Sequence, residues 1–169
     1  MDIEDSIIEV TDSIGPDYTD LAPEGEAHFD PVTIATLLAC HILYAVGAGI
    51  KDGITEAAKD GTVAVLQASG RHIRDRLIPQ RLRAFFTSPA SPADTDAERA
   101  KAQQEAGDSL ASAATAAGQL DPATIAQLAA ATAAAVAQAL QTAGLKDVAS
   151  ARVAQTIEAQ VKITLTPVP

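Results

Sequence analysis

Between Val32 and Ile50 the chain runs for nineteen residues without a formal charge. A segment of that length and composition has two stable destinations, the interior of a protein or the interior of a bilayer. Its start is marked: Asp30 is placed to accept backbone N–H bonds as an N-cap, and Pro31 fits the first helical turn, where its missing donor costs nothing. The pattern predicts a helix continuing through Lys51, Asp52, Glu56 and Lys59 to about Asp60. Gly61 breaks it, a second helical segment covers Thr62 to Leu77, and Pro79 ends that one.

Along the first helix Ala45, Gly49, Gly53, Ala57 and Gly61 recur every four residues and form one ridge of nearly bare backbone. Glycine inside a helix costs ~1 kcal/mol relative to alanine. Three glycines on one ridge therefore point to another helix lying close against it, as small-xxx-small spacing permits. The competing expectation is a break near Gly47 and Gly49 that folds the run into a hairpin.

The run approaches the ~20 residues needed to span a hydrocarbon core. Acidic residues precede it and Lys51, Lys59 and the arginines follow, so a span would place its N-terminus outside. His41 near the middle, Thr33, Thr36 and the small residues dilute the hydrophobicity. Soluble burial or self-association is the expectation, and membrane insertion the alternative.

Charge is strongly polarised along the chain. Residues 1 to 30 hold ten carboxylates and no Lys or Arg, and the first basic residue is Lys51. Such a start is unlike the basic n-region of a signal peptide, which makes a cytoplasmic chain the default expectation. Arg71, Arg74, Arg76, Arg81 and Arg83 then crowd into thirteen residues, interleaved with Ile73, Leu77, Ile78, Leu82, Phe85 and Phe86. This amphipathic segment is the expected contact for an anionic partner, in the first place the acidic N-terminal arm or a partner protein, and after these anionic lipid. A net charge of −10 disfavours nucleic acid.

The C-terminal half has to pack with small side chains. All five aromatic residues lie before residue 87, and 37 of the 169 residues are alanine. Alanine favours helix and close approach but buries little area. Ser88-Pro89-Ala90-Ser91-Pro92 reads as a linker. Beyond it a third helix is expected from Asp94 to about Ala117, with Gly118 as its stop. A fourth opens at Asp121-Pro122 and runs to about Thr142 with Gly144 as C-cap residue, and a short fifth spans Lys146 to about Ala154. The Asp30–Ala39 and Asp121–Ala130 segments match at seven of ten positions, for which a shared helix-start pattern is the expected reason and duplication of a helical hairpin the alternative.

Two segments read as extended. Residues 1 to 29 mix carboxylates with Gly15-Pro16 and Pro23-Glu24-Gly25, and are expected as an arm with a short strand around Ile3 to Val10. In the tail, Ile157, Ala159, Val161, Ile163 and Leu165 alternate with polar residues, the period of a half-buried strand. Ile157, Val161, Ile163 and Leu165 are its expected pairing face.

Catalytic signals are weak: there is no GxxxxGK[ST], GxSxG, HExxH or CxxC motif. Cys40 and His41 are neighbours about 100° apart on a helix, an arrangement that suits core packing better than a nucleophile–base pair. Glu24, Glu26, His28 and Asp30 would share one side of an extended chain, but an acidic loop with Asp30 as a helix cap explains them without a metal. No cofactor and no metal are expected. The Ala-rich, Arg-over-Lys usage fits a GC-rich bacterial source.

The sequence thus predicts a mainly α protein of Ala-rich helical hairpins or a bundle, with a C-terminal β-strand and an extended acidic N-terminal arm. Its expected parts are 1–29, a helical unit 30–87, a linker 88–94 and a second helical unit 95–169. The expected role is non-enzymatic association, as a homo-oligomer or with a protein partner, and the alternative is a membrane-active or membrane-anchored effector.

Overall fold

The long uncharged run goes to the protein interior. In the computed structural model, which describes residues 3–14, 31–87 and 92–166, it lies in α2 (Pro31–Ala57), extended by a 3-10 turn at Ala58–Asp60. Leu38, Ile42, Leu43, Val46 and Ile50 are fully buried, while Leu37, His41, Tyr44 and Ala48 form a stripe that is only partly covered. Around α2 stand α1 (Ile3–Ile14), α3 (Thr62–Arg76), α4 (Pro79–Thr87) and α5 (Pro92–Ala116), which all pack on it. The hairpin α6 (Pro122–Thr142) and α7 (Asp147–Leu165) closes the bundle, with α6 against α3 and α7 against α1. The protein is mainly α, and the described residues contain no strand.

The turns follow from local chemistry. Gly61 sits at φ 101°, a backbone region that side chains avoid, and connects the 3-10 turn to α3. Asp121 caps α6, its carboxylate accepting the Thr124 N–H at 2.6 Å. Gly144, at φ 86°, ends α6 in a Schellman arrangement: its N–H donates to Gln141 O at 2.9 Å, and the Leu145 N–H donates to Leu140 O at 3.1 Å. Leu140 and Leu145 are both buried beneath that turn.

The C-terminal strand expected at Ile157 to Leu165 is overturned, because these residues form the second half of α7. Ile157, Val161 and Leu165 satisfy a repeat of two, but they equally satisfy a repeat of four. Buried Val153, Ala154 and Gln160 complete a helical face, whereas Ala159 is exposed and Ile163 is 43% exposed. An alternating strand would have buried all of the odd positions. Helix formation also satisfies the interior backbone groups locally, where a single strand would have no partner.

The extended N-terminal arm is likewise corrected over Ile3–Ile14, which is α1. Ile7, Val10 and Ile14 fall on one helical face and are buried, and Glu4 and Asp5 sit in the first turn, where the helix dipole favours negative charge. The rest of the arm, including Glu24, Glu26, His28 and the expected cap Asp30, lies outside the described residues, as do residues 88–91 of the linker.

One apolar core runs across that linker. It draws Ile7, Leu43, Ile73, Leu110, Leu128 and Leu165 into a single cluster, with α5 on α2 and α6 on α3.

Candidate functional site

The glycine ridge of α2 is the point of closest helix approach. A Cβ built on Gly53 would lie 2.5 Å from the backbone nitrogen of Ser69, and one on Gly49 would lie 2.8 Å from the backbone nitrogen of Ile73. Pairing 53 with 69 and 49 with 73 makes α2 and α3 antiparallel neighbours. On another side of α2, a Cβ on Gly47 would lie 2.6 Å from the carbonyl carbon of Ser109 in α5, and Ser109 Oγ donates to Tyr44 O at 2.7 Å. Ala45 and Ala57 are buried, while Gly61 is exposed at the turn. The ridge is thus occupied by helices of the same chain, and α2 continues through Gly47 and Gly49 without a break.

Electrostatics hold the same pair of helices. Asp52 and Glu56, one helical turn apart on α2, face the arginine-rich end of α3. Arg71 Nη2 donates to Glu56 at 2.7 Å and 2.5 Å, His72 Nε2 meets Glu56 Oε2 at 2.7 Å, and Arg76 pairs with Asp52. The hydrogen bonds from His72 and Arg71 hold the Glu56 carboxyl below its usual range. Arg74, Arg81 and Arg83 are exposed. Arg71 and Arg76, of the cluster expected to meet an external anion, are therefore engaged with α2. Carboxylates four apart in one helix, opposite basic residues five apart in the next, were the sequence signal for this clasp.

Cys40 and His41 line a small cavity of about 160 Å³ with Leu37, Tyr44, Ala102 and Glu105, between α2 and α5. Burial pushes the Cys40 thiol up to about 11. Burial, with the Arg81 charge adding to it, pushes His41 down to about 4. Both groups are neutral at pH 7, so the thiol has no imidazolium beside it to make it a thiolate. Tyr44 and Glu105 continue into a shallower groove of about 350 Å³, where Lys51, Asp52, Arg76 and Asp108 mix both signs of charge. Among the described residues no three His, Cys, Asp or Glu side chains gather as a metal site.

The feature least visible in the sequence is the seat of α1. Ser6 Oγ donates to Gln160 Oε1 at 2.9 Å, a buried pair joining α1 to α7. At the other end, Arg152 Nε donates to Ser13 O at 2.5 Å and Arg152 Nη2 to Ile14 O at 3.2 Å. These carbonyls close a helix whose last turn leaves acceptors open. No protein-family model, curated protein or solved structure matches the chain.

Proposed function

We propose that this chain is a non-enzymatic interaction protein that assembles through helix packing, with copies of itself or with a protein partner. With Gly49 and Gly53 engaged inside the fold, the surface that carries the reading is the outer side of α6. From Pro122 to Thr142 this helix has no Asp, Glu, Lys or Arg, and Ala126, Gln127, Ala130, Ala134, Gln138 and Gln141 face solvent. On a molecule of net charge −10, like charges oppose self-association over most of the surface. A strip of alanine and glutamine lets a second helix approach without that repulsion and without large side chains to displace.

Light scattering after gel filtration tests the reading: a mass above the 17.3 kDa of one chain is expected for the wild type, and a return toward monomer for Ala130→Glu. A wild-type monomer at all concentrations, with no protein captured by a cognate partner, would sink it.

The second reading is membrane association. Ala35–Asp60 and Pro122–Thr142 are both long and apolar enough to cross a bilayer, with 67% and 56% of their apolar windows buried in the bundle. Insertion would require the bundle to open. Co-sedimentation of the full chain with anionic vesicles, at pH 7 and pH 5, separates this reading from the first.

A further inference from the structure

Leu37, His41, Tyr44, Ala48 and Lys51 recur at three- and four-residue steps, so they share one face of α2. That face lies between the closest contacts of the helix. Gly47 brings α5 against one flank, and Gly49 and Gly53 bring α3 against the other. Between them the stripe is only partly covered, and Tyr44 is 41% exposed.

The result is a groove with two different ends. The inner end is the cavity of about 160 Å³ lined by Leu37, Cys40, His41 and Ala102, close to the ~150 Å³ that holds a benzene ring in an apolar protein interior. The room comes from Ala102, because a larger side chain at that position of α5 would reach into it. The outer end is the groove of about 350 Å³, within the size range of small-molecule sites. Tyr44 and Glu105 line both ends and mark the junction.

Charge decides what kind of molecule suits the groove. Burial keeps Cys40 and His41 uncharged at pH 7, so Glu105 carries the one formal charge among the side chains lining the inner end. In the outer groove Asp52, Glu105 and Asp108 outnumber Lys51 and Arg76, and Arg76 is paired with Asp52. The Lys101 ammonium stands 4.0 Å from Glu105 with both side chains exposed, a separation and exposure at which an ion pair holds little. Glu105 therefore keeps acceptor capacity for a second cation, and the Tyr44 ring can add a cation–π contact. The Arg81 charge acts on His41 at the inner end, which favours an uncharged group there and the cation at the junction.

We propose that this groove binds a primary ammonium carrying one small aromatic group, with the ammonium between Glu105 and Tyr44 and the ring among Leu37, Cys40, His41 and Ala102. An anion would meet the excess of carboxylates, and a neutral molecule would leave the junction unused. The site uses no residue of α6, so it is independent of the assembly reading above.

The test titrates the isotopically labelled full-length chain with phenethylammonium chloride and follows the backbone amide resonances. Saturable shifts confined to residues 37–44 and 102–108 are expected. Phenethyl alcohol and hydrocinnamate, a neutral and an anionic molecule with the same ring, are expected to bind more weakly by about tenfold or more. Glu105→Gln keeps the shape and removes the charge, and should weaken the ammonium by a similar factor. Ala102→Leu should abolish binding by filling the inner end, with the circular dichroism of both variants matching the wild type. Equal affinity for the three molecules, shifts that map to other helices, or no saturation into the millimolar range would overturn the proposal. An affinity that survives Glu105→Gln overturns it as well.

Discussion

Gly53 of α2 faces the backbone of Ser69 in α3 with no room for a side chain, the added Cβ falling 2.5 Å from the Ser69 nitrogen. Because the obstacle is backbone, relief requires the two helices to move apart, and the neighbouring Gly49–Ile73 contact would open with them. Gly53→Ala is expected to destabilise the fold by about 1–3 kcal/mol, and Gly53→Leu to prevent it forming. Gly118, which has open space where a Cβ would go, is the control: Gly118→Ala is expected within about 1 kcal/mol of wild type. Urea denaturation reads both, and equal midpoints would refute the close contact.

His41 makes stability depend on pH. Its folded pKa of about 4 lies below the 6.5 of the free side chain, so the unfolded chain binds the extra proton first. The His41 contribution is complete above pH 6.5 and declines as pH falls toward 4, by roughly 1.4 kcal/mol per unit. His41→Gln should flatten the slope of urea midpoint against pH in that window. Lowered carboxylates such as Glu56 add to acid sensitivity in the same direction, with their share lost as pH falls through their folded pKa. A slope that survives His41→Gln unchanged would assign the effect to the carboxylates.

The seat of α1 predicts a local failure. Ser6→Ala takes the donor from the buried Gln160 oxygen and is expected to cost about 1–3 kcal/mol. Val10 has no exposure, and Val10→Asp would bury a charge there. Hydrogen exchange of Val10→Asp should show amides of Ile3–Ile14 losing protection while α2 and α3 keep theirs. Uniform loss across all helices would show that α1 is integral to a single cooperative unit.

Ile157 and Ile163 separate helix from strand by mutation. They have the same parity, so an alternating strand treats them alike, but in α7 Ile157 is fully buried and Ile163 is 43% exposed. Ile157→Asp should abolish folding, and Ile163→Asp should change the melting midpoint little. Circular dichroism on heating measures both.

These pairs show what was legible. The run from Val32, the Asp121-Pro122 start, the Gly61 break and the Gly144 cap each carry their signal in adjacent residues, and the helices follow them. The mainly α class follows with them. Ile3–Ile14 and Ile157–Leu165 misled because short apolar patterns with isoleucine and valine fit both periods. What decided them lies far away in sequence: Gln160 and Arg152 select the helix at 3–14, and α1 and α6 cover the helix at 157–165. The occupant of the glycine ridge was hidden for the same reason. Its spacing announces a close neighbour, but only the hairpin at Gly61 makes that neighbour α3 of the same chain.

The contact between Ser6 and Gln160 also sets an order of events at synthesis. α1 cannot be fully seated until α7 has been made, because α7 supplies one wall of its seat. Until α5 has been made, α2 lacks one of the two helices that pack on it most extensively. Early pairing of α2 with α3 is therefore the contact that can cover the apolar run before α5 has been added.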